Sequence, residues 1–174
     1  MSTKNNIQKR PLFVFEMANN HQGKLEHGLR IIREIYEVSK NFPFNFAFKL
    51  QARDIPTFIH PDYQTRDDIK YVKRFEETRL SEKELKALKD EICKAGFIPV
   101  CTPFDEASVD SIEKHSFGLI KIGSCSFTDW PLLERIAQTD LPIIASCASA
   151  TLEEIDQVVT FFEHRNKHFC LMHC

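Results

Sequence analysis

Short apolar runs alternate with amphipathic segments of helical period along nearly the whole chain, and no other feature of the sequence restricts the fold as much. The runs are LFVFEM (residues 12–17), FAFKLQ (46–51), FIPVCTPF (97–104), GLIKIGS (118–124), LPIIASCA (141–148) and HFCLMHC (168–174). Strands that are apolar throughout and separated by helices belong to a parallel sheet covered by those helices. The helical segments carry their own boundary signals. Residues 25–39 place Leu29, Ile32 and Tyr36 on one side. Ser81 with Glu84, and Thr151 with Glu154, have capping-box spacing, in which side chains satisfy the N–H groups left free at a helix start. Leu85, Leu88 and Ile92 give the apolar face after the first box, and Gly96 suits the stop. Ile155, Val158, Val159 and Phe162 follow the second box. Asp105 can cap a helix that carries Val109 and Ile112 inward. Pro131 comes early in a short helix at 130–138, where its missing N–H costs nothing. A polar insert at 52–79 with two prolines interrupts the rhythm, and its second part, DDIKYVKRFEE, reads as helical.

The βα repeat is begun six times and completed five times. A doubly wound open sheet and a (β/α)8 barrel both fit that count. No GxGxxG follows the first strand, which argues against a dinucleotide-binding sheet. Polar residues gather where strands finish, and that is where barrel enzymes hold their catalytic groups. The expected class is therefore α/β of the TIM-barrel type. A full barrel takes about 250 residues, so about six units are expected in these 174 residues. Residues 1–10 read as a polar tail and 11–174 as a partial barrel domain.

The strand ends suggest the chemistry. Side chains alternate along a strand, so Lys49 and Gln51 share one face while Phe46, Phe48 and Leu50 take the other. A lysine facing a barrel interior needs an anionic partner. Glu16 could supply it and merely hold the barrel together, or a ligand could. Lys121 repeats the pattern between Ile120 and Ile122. Together with Thr102, these strand ends offer cations and a hydroxyl suited to a phosphorylated anion. Glu16 is followed by Asn19, Asn20 and His21 in FEMANNHQG, a set that suits a polyhydroxylated substrate or proton transfer, or else an ordinary loop with Gly23 at a helix entrance. His173 in LMHC, taken alone, reads as a half-buried histidine. His164 and His168 flank a polar RNK and read as solvated, and His60 in IHPDY carries no signal.

Bulk properties exclude some partners. The net charge is -2 with both signs mixed along the chain, which gives no electrostatic footprint for nucleic acid. No apolar run approaches the roughly 18 residues of a membrane span. The start, MSTKNNIQKRP, lacks the apolar region of a signal peptide, so a cytoplasmic location is expected. The six cysteines show no CxxC spacing and read as reduced, buried thiols. Cys101, Cys125, Cys147 and Cys174 fall near strand ends, which leaves a thiolate cluster as the other reading.

The segments FEMANNHQG, FKLQ, CTPFDEASVD, KIGS with PLLERIA, IIASCASATLEEI and LMHC, in this order and spacing, resemble the N-terminal catalytic domain of the N-acetylneuraminate (sialic acid) synthase family. The resemblance covers nearly the whole chain. It implies a (β/α)8 enzyme that condenses phosphoenolpyruvate with an N-acetylated hexosamine such as N-acetylmannosamine. The product would be a nine-carbon 3-deoxy-2-keto sugar acid, with release of phosphate. It implies that Lys49, Thr102, Lys121 and Ser124 hold phosphoenolpyruvate with Ser146 nearby, that Glu16 and Gln51 face the sugar, and that Asn20 belongs to the substrate site. It further implies that His173 is one of two histidine ligands to a divalent metal, manganese or magnesium, and that the full-length enzyme is a homodimer. Departures are visible. Cys125 and Ser126 stand where many members have Gly-Glu, and SCASAT where members commonly have STGMAT. The strand that would carry the second histidine and the antifreeze-like domain that lends an arginine to the partner's site are expected outside this chain. A truncated chain of this kind is expected to be inactive by itself. Two alternatives are another phosphoenolpyruvate or phosphosugar barrel enzyme of aldolase type, and a sugar-phosphate-binding module without turnover.

Overall fold

The computed structural model describes residues 11–174, and the expected polar tail at 1–10 lies outside the described residues. Six strands form one sheet: β1 (Leu12–Glu16), β2 (Asn45–Ala52), β3 (Ile98–Pro103), β4 (Leu119–Ile122), β5 (Ile143–Ser146) and β6 (Phe169–Met172). Their order is the order of the chain, β1-β2-β3-β4-β5-β6. The pairs β1–β2, β3–β4, β4–β5 and β5–β6 are parallel. Sequential parallel strands joined by helices are the repeat of a (β/α)8 barrel, carried here through its sixth strand.

The helices are α1 (Leu25–Ser39), α2 (Ile55–Phe58), α3 (Lys70–Glu77), α4 (Glu82–Lys94), α5 (Glu106–Lys114), α6 (Trp130–Ala137) and α7 (Leu152–Glu163). Both capping boxes form, with Ser81 and Thr151 each accepting from the backbone N–H of the glutamate three residues on. Asp105 caps α5 by accepting from Ser108 N–H. Gly96 ends α4 at φ +79°, a left-handed turn that only glycine makes without strain. The insert is less polar in effect than its composition suggests. It opens with α2, and Ile55 and Ile59 are buried.

By its internal contacts the chain divides into two compact units. The first runs to Leu50 and includes Arg66–Pro99. In it, β1 pairs with β2 in the register Leu12↔Asn45 through Glu16↔Lys49. Their helix-facing side is aromatic, with Phe15 stacked on Phe46 at 5.3 Å and Phe97 edge-on to Phe15 at 5.8 Å. Helices α1 and α4 pack closely at Gly28. A Cβ there would lie 2.7 Å from a Leu88 methyl and 3.3 Å from the His21 Cβ, so any larger residue would force Leu88 to shift. Arg33 and Glu91 tie the same two helices at 2.6 Å.

The second unit comprises Gln51–Thr65 and Val100–Cys174. Its core gathers Val109 and Ile112 from α5, Leu132, Leu133 and Ile136 from α6, Val158 and Phe162 from α7, and Ile120, Ile122, Ile143 and Ala145 from the strands, all buried. Arg135 on α6 reaches Asp110 at 2.7 Å and also Glu113, both on α5. Arg165 lies over the Phe161 ring at 3.8 Å and bonds Glu134 at 3.0 Å.

Candidate functional site

In the first unit the polar strand ends are Glu16 and Lys49, which are register partners on β1 and β2. The Lys49 side chain is 7% exposed and pairs with Glu16, which is 46% exposed. The buried cation thus has the carboxylate partner that a low-dielectric position demands. The structural role expected for this pair is observed. It does not exclude a ligand, because the half-exposed carboxylate remains accessible. Its other oxygen accepts from Ala18 N–H at 2.8 Å, which fixes its direction.

The loop after β1 separates the rest of FEMANNHQG. Asn20 is exposed, and its N–H closes a turn onto Met17 O at 3.0 Å. His21 is buried and accepts at Nδ1 from Gly23 N–H at 3.1 Å. Burial holds its imidazole below the ordinary pKa, opposed by the Glu84 carboxylate and reinforced by His27. An imidazole used this way belongs to the loop, and the ordinary-loop reading of His21 is the one observed. Gly23 sits at φ +68°, and a Cβ there would meet Glu77 O at 2.6 Å. The tight loop therefore depends on that glycine.

In the second unit the ends of β3, β4 and β5 present one row. The register Cys101↔Ile120 runs on to bring Thr102 beside Lys121, and Lys121 is paired with Ile144. Residues in register on parallel strands point to the same face and alternate along each strand. Thr102, Lys121 and Ser146 therefore share a face. Thr102 and Ser146 are buried and Lys121 is half-buried. Ser124 has left the strand. It is exposed and opens the 3-10 turn Ser124–Ser126. Cys125 Sγ and the Thr102 methyl flank Gly123, each within 3.8 Å of where a Cβ would stand, so a thiol borders the position beside Thr102.

At β6 the contact to Ser146 comes from Cys174, whose Sγ lies 2.9 Å from Ser146 Oγ. His173 is exposed, and strand alternation sets it apart from Met172, the register partner of Ser146. Among the described residues no group of three or more His, Cys, Asp or Glu could hold a metal ion. The donors among the described residues do not make a complete metal site. The same finding leaves no thiolate cluster among the described residues, where Cys101 is buried and Cys125 and Cys174 are exposed.

Gln51 is half-buried beyond Lys49 on β2, and its amide oxygen accepts from Arg53 Nη2 at 2.9 Å. Arg53 drew no notice in the sequence, where it looks like one more charge in a polar insert. It lies just past the end of β2, and no local spacing signals its contact with Gln51.

No helix among the described residues is long and apolar enough to cross a membrane. Residues 46–174 match the NeuB family. A solved structure from Chromobacterium violaceum, assigned by its name to spore coat polysaccharide biosynthesis protein E, is similar at 57% identity and TM-score 0.93, over 95% of this chain and 49% of that one. The N-acetylneuraminate-9-phosphate synthase of Mus musculus is 26% identical over 95% of this chain and 47% of its own length. The N,N'-diacetyllegionaminic acid synthase of Campylobacter jejuni is 26% identical over 95% of this chain and 52% of its own. The chain spans about half the length of the curated relatives it matches.

Proposed function

Because the chain belongs to the NeuB family, we propose that its strand ends form the phosphoenolpyruvate-binding part of a sugar acid synthase. That enzyme joins phosphoenolpyruvate to an N-acetylated hexosamine of the N-acetylmannosamine kind. The observation that carries the reading is the row of Thr102, Lys121 and Ser146 on one face at the ends of β3–β5; Lys49 is assigned to the same ligand by the family resemblance. Phosphoenolpyruvate carries a phosphate and a carboxylate. Two lysines neutralise them, and the hydroxyls of Thr102 and Ser146 donate to oxygens that the ammonium groups leave open. Ser124, exposed at its turn, and Asn20, exposed in its loop, are assigned by the resemblance as further substrate contacts.

The reaction forms a carbon–carbon bond from C3 of phosphoenolpyruvate to the sugar aldehyde. Water then adds at C2 and phosphate departs. Preorganised cations stabilise the charge of the leaving phosphate. Glu16, held by Ala18 N–H and Lys49, faces the sugar as an acceptor for its hydroxyls. A divalent metal would polarise the aldehyde as a Lewis acid. His173 would be one of its ligands, and the described residues alone do not complete the set. The neutral Cys125 and Ser126 bear on which sugar is taken, and both neuraminate-type and legionaminate-type precursors fit an N-acetylated class. A cytoplasmic, homodimeric full-length enzyme completes the proposal.

The test uses the full-length protein with phosphoenolpyruvate, N-acetylmannosamine and manganese. Phosphate release that requires both substrates, with a product heavier than the sugar by one pyruvate unit, supports the reading. A borohydride-trapped lysine would move the assignment to a Schiff-base aldolase. Tight binding of phosphoenolpyruvate with no turnover of any N-acetylated hexosamine would leave a binding module.

A further inference from the structure

The segment leaving β2 is stitched to the segment leaving β3 by one backbone bond and one backbone-to-carboxylate bond within the second unit. Phe104 N–H donates to Ala52 O at 3.2 Å. Asp54 N–H donates to Asp105 Oδ2 at 2.8 Å, while the other Asp105 oxygen accepts from Ser108 N–H at 2.7 Å. Arg53 lies between these two stitches. Its guanidinium stacks on the Phe104 ring at 3.8 Å, with the Phe58 ring at 6.0 Å. A flat cation on an aromatic face is held in both position and plane. From there Nη2 donates to the Gln51 amide at 2.9 Å.

This contact has a chemical consequence. A guanidinium has five N–H donors and no acceptor, so the amide atom it meets must be the oxygen. The orientation of a glutamine amide, otherwise ambiguous between its two ends, is thereby decided. The NH2 end turns away from Arg53 and presents donors. We propose that Arg53 is a positioning residue that locks Gln51 as a hydrogen-bond donor, so that the ligand atom Gln51 takes is an acceptor oxygen of the sugar. The inference rests on the reading of Gln51 as a sugar-facing residue.

The experiment compares Gln51→Glu, Gln51→Leu, Arg53→Leu and the double Leu variant in the full-length protein. KM for N-acetylmannosamine is read alongside the melting temperature. Gln51→Glu keeps an oxygen for Arg53 but removes both donors. It is expected to raise KM by about tenfold or more at unchanged melting temperature, about 1.4 kcal/mol. Arg53→Leu is expected to raise KM as well, and the double variant to be no worse than Gln51→Leu alone, the signature of residues that act as one unit. Wild-type KM in Gln51→Glu, or a double variant whose loss is the product of the single losses, overturns the proposal. A second readout does not need turnover. The Gln51 side-chain 15N amide resonance, assigned by its absence in Gln51→Leu, is expected to move in Arg53→Leu. If the wild-type protein makes no sugar acid, the synthase reading fails, and this resonance alone decides the amide lock: moved supports it, unmoved overturns it.

Discussion

At the scale of single residues, Lys49 and Glu16 form an ion pair whose partners differ in exposure, and both carry a proposed role at the site. The ammonium is 7% exposed and the carboxylate 46% exposed, so water can solvate one partner but hardly the other. Removing one partner of a buried pair costs most when a buried charge is left behind. Glu16→Gln is therefore expected to destabilise the protein more than Lys49→Met, by about 1–3 kcal/mol. Lys49→Met replaces the cation with an apolar chain of similar length and leaves Glu16 in water. Urea midpoints of the two variants check this, and the opposite ranking would mean that Lys49 is not anchored through Glu16. The pairing was visible in the sequence as one of two options, because strand alternation puts Lys49 on the inner face. The lock of Gln51 by Arg53 was not. It depends on Phe104 arriving from another strand, and no spacing in the chain announces that contact.

At the scale of elements, the boundary signals were the most legible part. The Ser81 and Thr151 boxes, the Asp105 cap and the Gly96 stop each describe a local hydrogen bond, and each is found. What was missed needed partners distant in sequence. Ile55 and Ile59 make the start of the insert part of a core. His21 had its loop reading open in the sequence, but its packing role did not show there: its Cβ stands against Gly28 between α1 and α4, and its Nδ1 accepts from Gly23 N–H. That assignment predicts a pH effect. Burial lowers the folded pKa of His21 from the ordinary value of about 6.5. Below about pH 6.5 the unfolded chain binds the proton more readily than the folded one, so stability is complete above that pH and falls as pH drops through the folded value. The lowered pKa of Glu84, caused by its bonds to Ser81, acts the same way but only below about 4.5. Between about pH 5 and 6.5 the slope therefore belongs to groups such as His21. His21→Asn is expected to flatten the dependence of the urea midpoint over that range, and an unchanged slope would contradict the assignment.

At the scale of the whole molecule, six sequential parallel strands deliver polar side chains at their C-terminal ends. This placement follows from topology alone, since every parallel strand of a βα repeat finishes on the same edge of the sheet. It explains why Thr102 and Lys121 could be read from strand ends before any coordinates, whereas Ser146 came from the family resemblance. His173 was drawn from the family resemblance alone, and its place one residue past Met172 sets it apart from the face of Ser146. The central claim is that Lys49 and Lys121 serve one substrate, phosphoenolpyruvate. The most direct measurement is kcat/KM for phosphoenolpyruvate in the full-length protein and in its Lys49→Met and Lys121→Met variants. The account predicts that each variant loses about tenfold or more, equivalent to at least about 1.4 kcal/mol of transition-state stabilisation. Wild-type kinetics in both variants would contradict it.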